Sequence, residues 1–299
     1  MKSGILVALA LSAIPLAPVA LEAQTITGGL TLSFTRQDAG SSTIDSRGLD
    51  GRMETDFGNG FTFGVDVGAS RMSQSGVSTD VDAEFIAIDG GYRFSNGMKA
   101  GLFAERLTFS VSSSADVTLK TNGLSLGYEA NGFDVEAFMA DTSPSLPLPF
   151  ATDVENVGVT ARYSGVAGLE VGGAYLRAKL SSGGPTTDID FKGVAATYVI
   201  NDSYILFGGL AKTDLAGVVD IDTTGIGIGY DLGAMTGFSA TVSLEAAQTD
   251  LATTGIDTLR LGLTLPLGKK GPMLPMNSVA DSVLNARHGA FNAALTSAF

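Results

Sequence analysis

Leu259-Arg260-Leu261-Gly262-Leu263-Thr264-Leu265-Pro266-Leu267 puts leucine at every odd position, with basic, small or polar residues and a proline between. Successive side chains leave a strand on opposite sides, so a strict period of two describes a strand with two unlike faces. One face meets apolar surroundings and the other does not. The same dyad runs through Phe61, Phe63, Val65 and Val67 against Thr62, Gly64, Asp66 and Gly68. It recurs in Phe238, Ala240, Val242 and Leu244 against Ser239, Thr241, Ser243 and Glu245. Ile226, Ile228 and Tyr230 alternate with glycines 225, 227 and 229, and Val157, Val159, Ala161 and Tyr163 with Gly158, Thr160 and Arg162. Helical periodicity is nearly absent before residue 276.

Alternation fits a sandwich whose apolar faces share a core, and equally a barrel whose apolar face meets lipid. The position of the aromatics separates the two. An aromatic, a tight polar or glycine turn and a second large apolar residue recur about every 35 residues, the spacing of successive hairpins. Examples are Phe57-Gly58-Asn59-Gly60-Phe61, Phe94-Ser95-Asn96-Gly97-Met98 and Tyr128-Glu129-Ala130-Asn131-Gly132-Phe133, followed by Tyr163 to Leu169, Tyr198 to Tyr204 and Tyr230 to Phe238. A sandwich scatters its rings along inward faces, whereas amphipathic rings in a membrane barrel gather at strand ends, at the interface. Phe57, Phe61, Phe94, Tyr128, Phe133, Tyr163, Tyr198, Tyr204, Tyr230 and Phe238 form such a girdle.

Composition agrees. Charged residues are 16% of the chain and mean hydropathy is +0.27, against about 25% charge in a typical soluble domain. Beyond the N-terminus no apolar run reaches the roughly 20 residues of a spanning helix. The chain has no cysteine, which excludes a disulfide scaffold and a lipid-bearing cysteine. A net charge of −13 argues against nucleic acid as a partner. Residues 1–23 read as a signal peptide: Lys2, an apolar run from Ile5 to Ala13, then small residues ending at Ala23. Pro15 and Pro18 interrupt the run before it could anchor as a helix, so the mature chain is expected to start at Gln24.

The expected fold is all-β, a transmembrane antiparallel up-and-down β-barrel over residues 24–268. Strands are expected near 25–36, 46–56, 60–72, 80–94, 98–110, 116–128, 132–141, 153–163, 168–179, 188–200, 203–214, 220–233, 236–249 and 256–268. That is about fourteen, in a range of roughly 12 to 16. An even number puts both ends on one side, which export makes periplasmic, together with the aromatic-flanked turns. The opposite loops, near 37–45, 73–79, 141–153, 181–188 and 250–255, are then extracellular. The longest carries Pro144-Ser145-Leu146-Pro147-Leu148-Pro149-Phe150, whose prolines forbid a regular ladder. Residues 269–299 read as a C-terminal periplasmic tail. Val279, Val283, Leu284, Phe291 and Leu295 lie at roughly helical spacing behind a capping Asn277 or Ser278, while Phe291 to Phe299 also alternates.

On these features the chain resembles the Gram-negative outer-membrane β-barrel superfamily, specifically a porin-like barrel, over Thr25 to Gly268. The resemblance rests on pattern and on no family-specific motif. It implies a bacterial outer-membrane channel for passive diffusion of small hydrophilic solutes. The implied partners are outer-membrane lipids including lipopolysaccharide, and the assembly machinery; a homo-oligomer is left open. The family's last strand commonly ends in an aromatic that this machinery reads. Here the last good strand ends at Leu267-Gly268, and Phe299 is the other candidate for that signal.

The dyad assigns Asp66, Glu129, Asp134, Glu136, Arg162, Glu170, Asp231, Glu245 and Arg260 to the lumen. Buried charges need partners or water, so this lining implies a wet pore or a set of internal ion pairs. The acids outnumber Arg162 and Arg260, so a pore would favour cations modestly. The competing reading is a non-conducting structural or adhesive barrel. A transporter of lipophilic substrates would need an N-terminal plug, and strand-like sequence begins directly after Gln24. No catalytic residue, metal site or cofactor is indicated. The only histidine, His288, lies in the tail and is expected to be solvated. Asp80, Asp82, Glu84, Asp220 and Asp222 are expected to be exposed rim charges.

Overall fold

In the computed structural model, residues 25–268 and 273–298 are described, apart from 41, 78–79, 112–115, 146–152, 182–185, 216 and 252–253. The segment expected to be a signal peptide, most of the proline-rich loop, Lys269 to Pro272 and Phe299 therefore lie outside the described residues. Fourteen strands form a closed antiparallel barrel in chain order. They are β1 (Thr25–Ala39), β2 (Ser42–Asp56), β3 (Phe61–Gln74), β4 (Asp80–Arg93), β5 (Met98–Val111), β6 (Val117–Ala130) and β7 (Phe133–Pro144). The second half comprises β8 (Asp153–Val166), β9 (Leu169–Ser181), β10 (Thr187–Asn201), β11 (Tyr204–Leu215), β12 (Val219–Asp231), β13 (Thr241–Leu251) and β14 (Thr254–Leu267). A single helical turn, α1 (Gly233–Thr236), connects β12 to β13, and α2 (Val279–Leu284) and α3 (Ala290–Ala298) follow β14.

β1 closes the sheet on β14, with Leu32 opposite Leu263 and Thr31 opposite Thr264. The leucines of β14 face outward and its even positions face inward, as the dyad requires. Around the outside, Leu32, Phe34, Ile86, Leu102, Leu126, Met139, Val194 and Ile226 are exposed. An exposed apolar belt on a closed sheet is what lipid, not water, stabilises.

The aromatic turns all lie at one end of the barrel. Gly60 and Gly97 have φ of 92° and 87°, and their carbonyls accept the N–H of Arg93 and Glu129 from the next hairpin. A Cβ on Gly60 would stand 2.6 Å from the Arg93 carbonyl, so glycine is required there by dihedral and by close approach alike. Asn59, Asn96 and Asn201 accept N–H groups within their own turns. Rings on adjacent hairpins touch: Phe61 and Tyr92 at 4.9 Å, Phe133 and Tyr163 at 4.4 Å, and Tyr204 and Tyr230 at 4.9 Å between centroids.

At the other end the strands run further than alternation suggests, β1 to Ala39 and β2 from Ser42. Strands of 11 to 15 residues exceed the roughly 9–11 that cross the hydrocarbon. Outward ion pairs crown this end: Arg71 with Asp82 at 2.6 Å, Arg177 with Asp190 at 2.7 Å, and Lys212 with Asp220 at 3.2 Å and Asp222 at 3.4 Å.

Candidate functional site: a lumen occupied by the C-terminal tail

The tail does not stand apart from the barrel. From Met273 on it lies in the interior, entered at the short-turn end, where the Met273 N–H donates to Thr241 Oγ1 at 2.9 Å and the Met276 N–H to Thr31 Oγ1 at 3.2 Å. Ser278 caps α2, its Oγ accepting the Asp281 N–H at 3.1 Å, as its type and position favour. Val279, Ala280, Val283 and Leu284 are buried against the inner wall. That wall is made for close approach: a Cβ on Gly225 would meet Val279 Cγ2 at 2.7 Å, on Gly209 the Ala280 Cα at 3.2 Å, on Gly193 Val283 Cγ2 at 2.5 Å, and on Gly172 Leu284 Cδ2 at 2.8 Å. Four glycines on consecutive strands β12 to β9 thus form a flat seat for α2, and α3 continues over β9 to β12.

Ion pairs fix the tail to the rest of the wall. Arg52 bonds Asp66 at 2.7 Å and reaches Asp281 at 3.0 Å. Arg162 bonds Asn285 at 3.1 Å and Asp134 at 3.1 Å, and Lys99 pairs with the same Asp134. Glu245 pairs with Arg260 and its other oxygen accepts the Val279 N–H at 2.9 Å. His288 stacks on Phe103 at 3.6 Å, edges Phe138 at 4.8 Å, and contacts Glu105 at 2.8 Å and Glu136 at 3.5 Å. Burial opposes its charge, but these two carboxylates prevail and push its pKa up to about 9. Burial also pushes the Asp281 carboxyl above its ordinary value, against the pull of Arg52.

Because the helices lean on β9 to β12, a crescent of space remains along β2 to β8. One cavity, of about 120 Å³, lies towards the loop end and includes Asp50, Ser70, Asp281, Asn285 and Arg287. A second, of about 260 Å³, lies towards the turn end and includes Glu54, Asp66, Asp89, Lys99, Asp134, Glu136, Asn285 and Arg287. Asn285 and Arg287 line both, and the Arg287 guanidinium lies 3.5 Å from the centroid of the Phe85 ring, a cation–π contact. The two cavities therefore adjoin at two residues of the tail.

No family model matches the chain, and no curated protein does. Solved structures do. An anion-selective porin from Comamonas acidovorans aligns with 82% of this chain and 99% of its own, at a TM-score of 0.51 and 11% identity. A Pseudomonas aeruginosa FadL homologue aligns with 81% of this chain and 89% of its own, at 0.50 and 9%. The CymD monoaromatic hydrocarbon channel covers 83% and 88%, at 0.50 and 11%. The fold is the closed β-barrel that these porin and channel structures share. Identities this low establish architecture and say nothing of the solute.

Within this porin-like barrel the lumen residues read from the dyad have three fates. Asp66, Asp134, Glu136 and Arg162 line the crescent. Glu245 and Arg260 face inward but are sealed under the tail, 2% and 3% exposed. Glu129 sits at the turn-end rim, bonded to Arg93 at 2.9 Å. Glu170 lies at the turn end of β9, beside Thr197. Asp231 serves the β12–β13 connection, accepting the N–H groups of Gly233 at 3.0 Å and Ala240 at 3.2 Å. His288 is a correction: it is not solvated but clamped between two rings and two carboxylates. Arg52, Lys99, Asp89, Glu105 and Arg287 also belong to the crescent. Strand parity alone would have added the first four; Arg287 could be placed only by folding the tail inward. Among the described residues no cluster of His, Asp and Glu is arranged to hold a metal, and Asp82, Asp220 and Asp222 are engaged by Arg71 and Lys212.

Proposed function

We propose that the protein is a porin-like channel of the bacterial outer membrane, passing small hydrophilic solutes along the crescent between its tail and strands β2 to β8. The observation that carries this reading is the pair of cavities, the larger one predominantly polar, that share Asn285 and Arg287. A water-filled path lined by charges of both signs suits ions and small polar molecules and rejects bulky ones. Along the larger cavity Asp66, Asp89, Glu105, Asp134, Glu136 and Glu54 are matched by Arg52, Arg93, Lys99, Arg162, Arg287 and the protonated His288, and the smaller cavity adds Asp50 and Asp281, which supports a modest preference for cations. In this placement the aromatic girdle meets the periplasmic interface, and the outward ion pairs of the other end meet lipopolysaccharide.

A non-conducting structural barrel is the second reading, and the ion-paired tail favours it. Single-channel recording separates the two. The full chain should give a small steady conductance in planar bilayers, and a chain ending at Gly268 a conductance several-fold larger. Silence of the full chain with an open truncated barrel would establish the non-conducting form; silence of both would overturn the channel. In a salt gradient the reversal potential should indicate cations, and Asp89→Asn with Glu54→Gln should move it towards zero; an anion-selective potential would overturn the preference.

A further inference from the structure

The inner wall is not uniformly polar. In the loop-end half of β11 to β14 and β1 it presents Thr213, Thr223, Thr249, Thr258 and Gln37, with Thr223 and Thr249 hydroxyls 3.1 Å apart. At the same height β4 to β10 turn inward Phe85, Leu107, Leu119, Val154, Leu180 and Ile189. These positions alternate with outward residues in the same strands, so they belong to the lumen face and not to the lipid face. A wet lumen has no use for a contiguous apolar wall. The tail covers part of it, Ala290 and Ala293 packing into one cluster with Val154, Leu180 and Ile189, and Gly289 and Asn292 border the space that remains.

Between wall and helix lies a third cavity, of about 250 Å³. An engineered apolar cavity of about 150 Å³ holds benzene, so this one has room for an aromatic ring with substituents. Its charged lining residue, Glu105, is engaged by His288 at 2.8 Å, and its uncharged polar groups gather at one end. There Thr121 and Thr142 hydroxyls lie 2.6 Å apart and Asn156 donates to Thr142 at 2.9 Å, so those groups are mutually satisfied. Asn292 is not: it is 7% exposed, and its Oδ1 is buried with no hydrogen-bond partner among the described residues. A buried acceptor left unmade costs about 1–3 kcal/mol, and it lines the cavity. Predominantly apolar walls with one or two oriented polar groups are the usual character of a small-molecule site.

We propose that this cavity binds a small neutral aromatic molecule bearing one hydrogen-bond donor, its ring against Phe85, Leu107, Leu119 and Val154 and its O–H or N–H directed to Asn292 Oδ1. The site adjoins the crescent, sharing Phe85, Leu107, Phe109 and Asn292 with its smaller cavity and Glu105 with the larger, and its occupancy is measured without reference to conduction. Because α3 supplies the acceptor, a bound molecule also holds the tail in place, and ligand and tail stabilise each other.

The probe is 2-naphthol, followed by fluorescence anisotropy with the full chain in lipid nanodiscs; the chain contains no tryptophan, which leaves the naphthol signal clear. Saturable binding above that of empty nanodiscs is expected. Ala178→Phe and Val154→Phe, each filling the cavity from the wall, should weaken it at least tenfold with circular dichroism and melting unchanged. Asn292→Leu should abolish the preference for 2-naphthol over 2-methoxynaphthalene, which lacks the donor. Absence of saturable binding to the wild type overturns the proposal. So does binding that survives either filling variant in a folded barrel, because the site would then lie elsewhere. Equal affinity of the wild type for both probes would overturn the role of Asn292.

Discussion

Replacing Glu245 by leucine should release the tail. The Glu245–Arg260 pair is among the most buried ionic contacts in the lumen, 2% and 3% exposed, and the same carboxylate accepts the first N–H of α2 at 2.9 Å. Removing one partner of a buried pair costs up to about 3–5 kcal/mol, because the remaining charge loses its direct counter-ion. At about 1.4 kcal/mol per tenfold, a full transfer of this cost to the seated tail raises the unseated population by roughly two to three and a half orders of magnitude. Limited trypsin digestion reads that population directly, since cleavage after Arg287 requires a residue now inside the barrel to reach the protease, and fast opening makes the rate track the open fraction. The double variant Glu245→Leu with Arg260→Met separates charge from shape. With the guanidinium removed as well it should regain most of the loss, retaining the cost of an unpaired α2 N–H, about 1–3 kcal/mol. Tryptic rates and denaturant midpoints of Glu245→Leu equal to those of the wild type would refute the argument, and so would a double variant no better than the single.

Three further outcomes are expected. Leu102, 69% exposed on the outside of β5, should tolerate lysine poorly, losing about 2–4 kcal/mol of folding free energy in vesicles, whereas Ser125→Lys, directed into the larger cavity, should cost far less; equal urea midpoints would refute the assignment of faces. Gly193→Leu and Gly225→Leu should eject α2 sterically, raising tryptic cleavage while the strand circular dichroism stays unchanged, because their side chains would occupy the space of Val283 and Val279. His288, with its pKa pushed up to about 9 from about 6.5, contributes roughly 3 kcal/mol to tail seating at one pH unit per 1.4 kcal/mol. A raised pKa means that the contribution is complete below about pH 6.5 and fades as pH rises through about 9, so protection from trypsin should fall between those values in the wild type and stay flat in His288→Gln.

Strand parity made the barrel legible. The leucines of residues 259–267, the Phe61 to Val67 dyad and the glycine-punctuated turns each record a local rule, either alternation across a pleat or a positive φ, that needs no knowledge of the rest of the chain. The tail followed no such rule. Val279, Val283 and Leu284 declared a helix, and Ser278 its cap, yet nothing local distinguishes a helix on the rim from one within the lumen. The missing signal was on the wall. Gly172, Gly193, Gly209 and Gly225 fall on four successive strands, Gly209 directly opposite Gly225, and Gly193 two residues along β10 from Ala195, which pairs with both Gly172 and Gly209. Read strand by strand they look like room for water; read across the ladder they form a flat surface that a helix can approach closely. Charge reading failed for a similar reason. Counting Arg162 and Arg260 alone left the acids unpaired, because Lys99, Arg52, Arg287 and His288 enter the count only when parity is applied to β2 and β5 and the tail is folded inward.

The tail's own amphipathicity then divides the interior. Its apolar side, Val279, Ala280, Val283 and Leu284, seals against the glycine wall of β9 to β12, where bringing the backbones close removes apolar surface from water without enclosing voids. Its polar side, Asp281, Asn285, Arg287 and His288, faces the charges of β2 to β8 and is fixed to them by bonds that salt and pH can weaken. Fourteen strands enclose more volume than their own side chains fill, and the segment that fills it is neither a uniform stopper nor an empty lining. It keeps one flank dry and leaves the other wet, so that any condition that loosens the ionic contacts acts on the flank along which solute would pass, while the apolar seat keeps the tail inside the barrel.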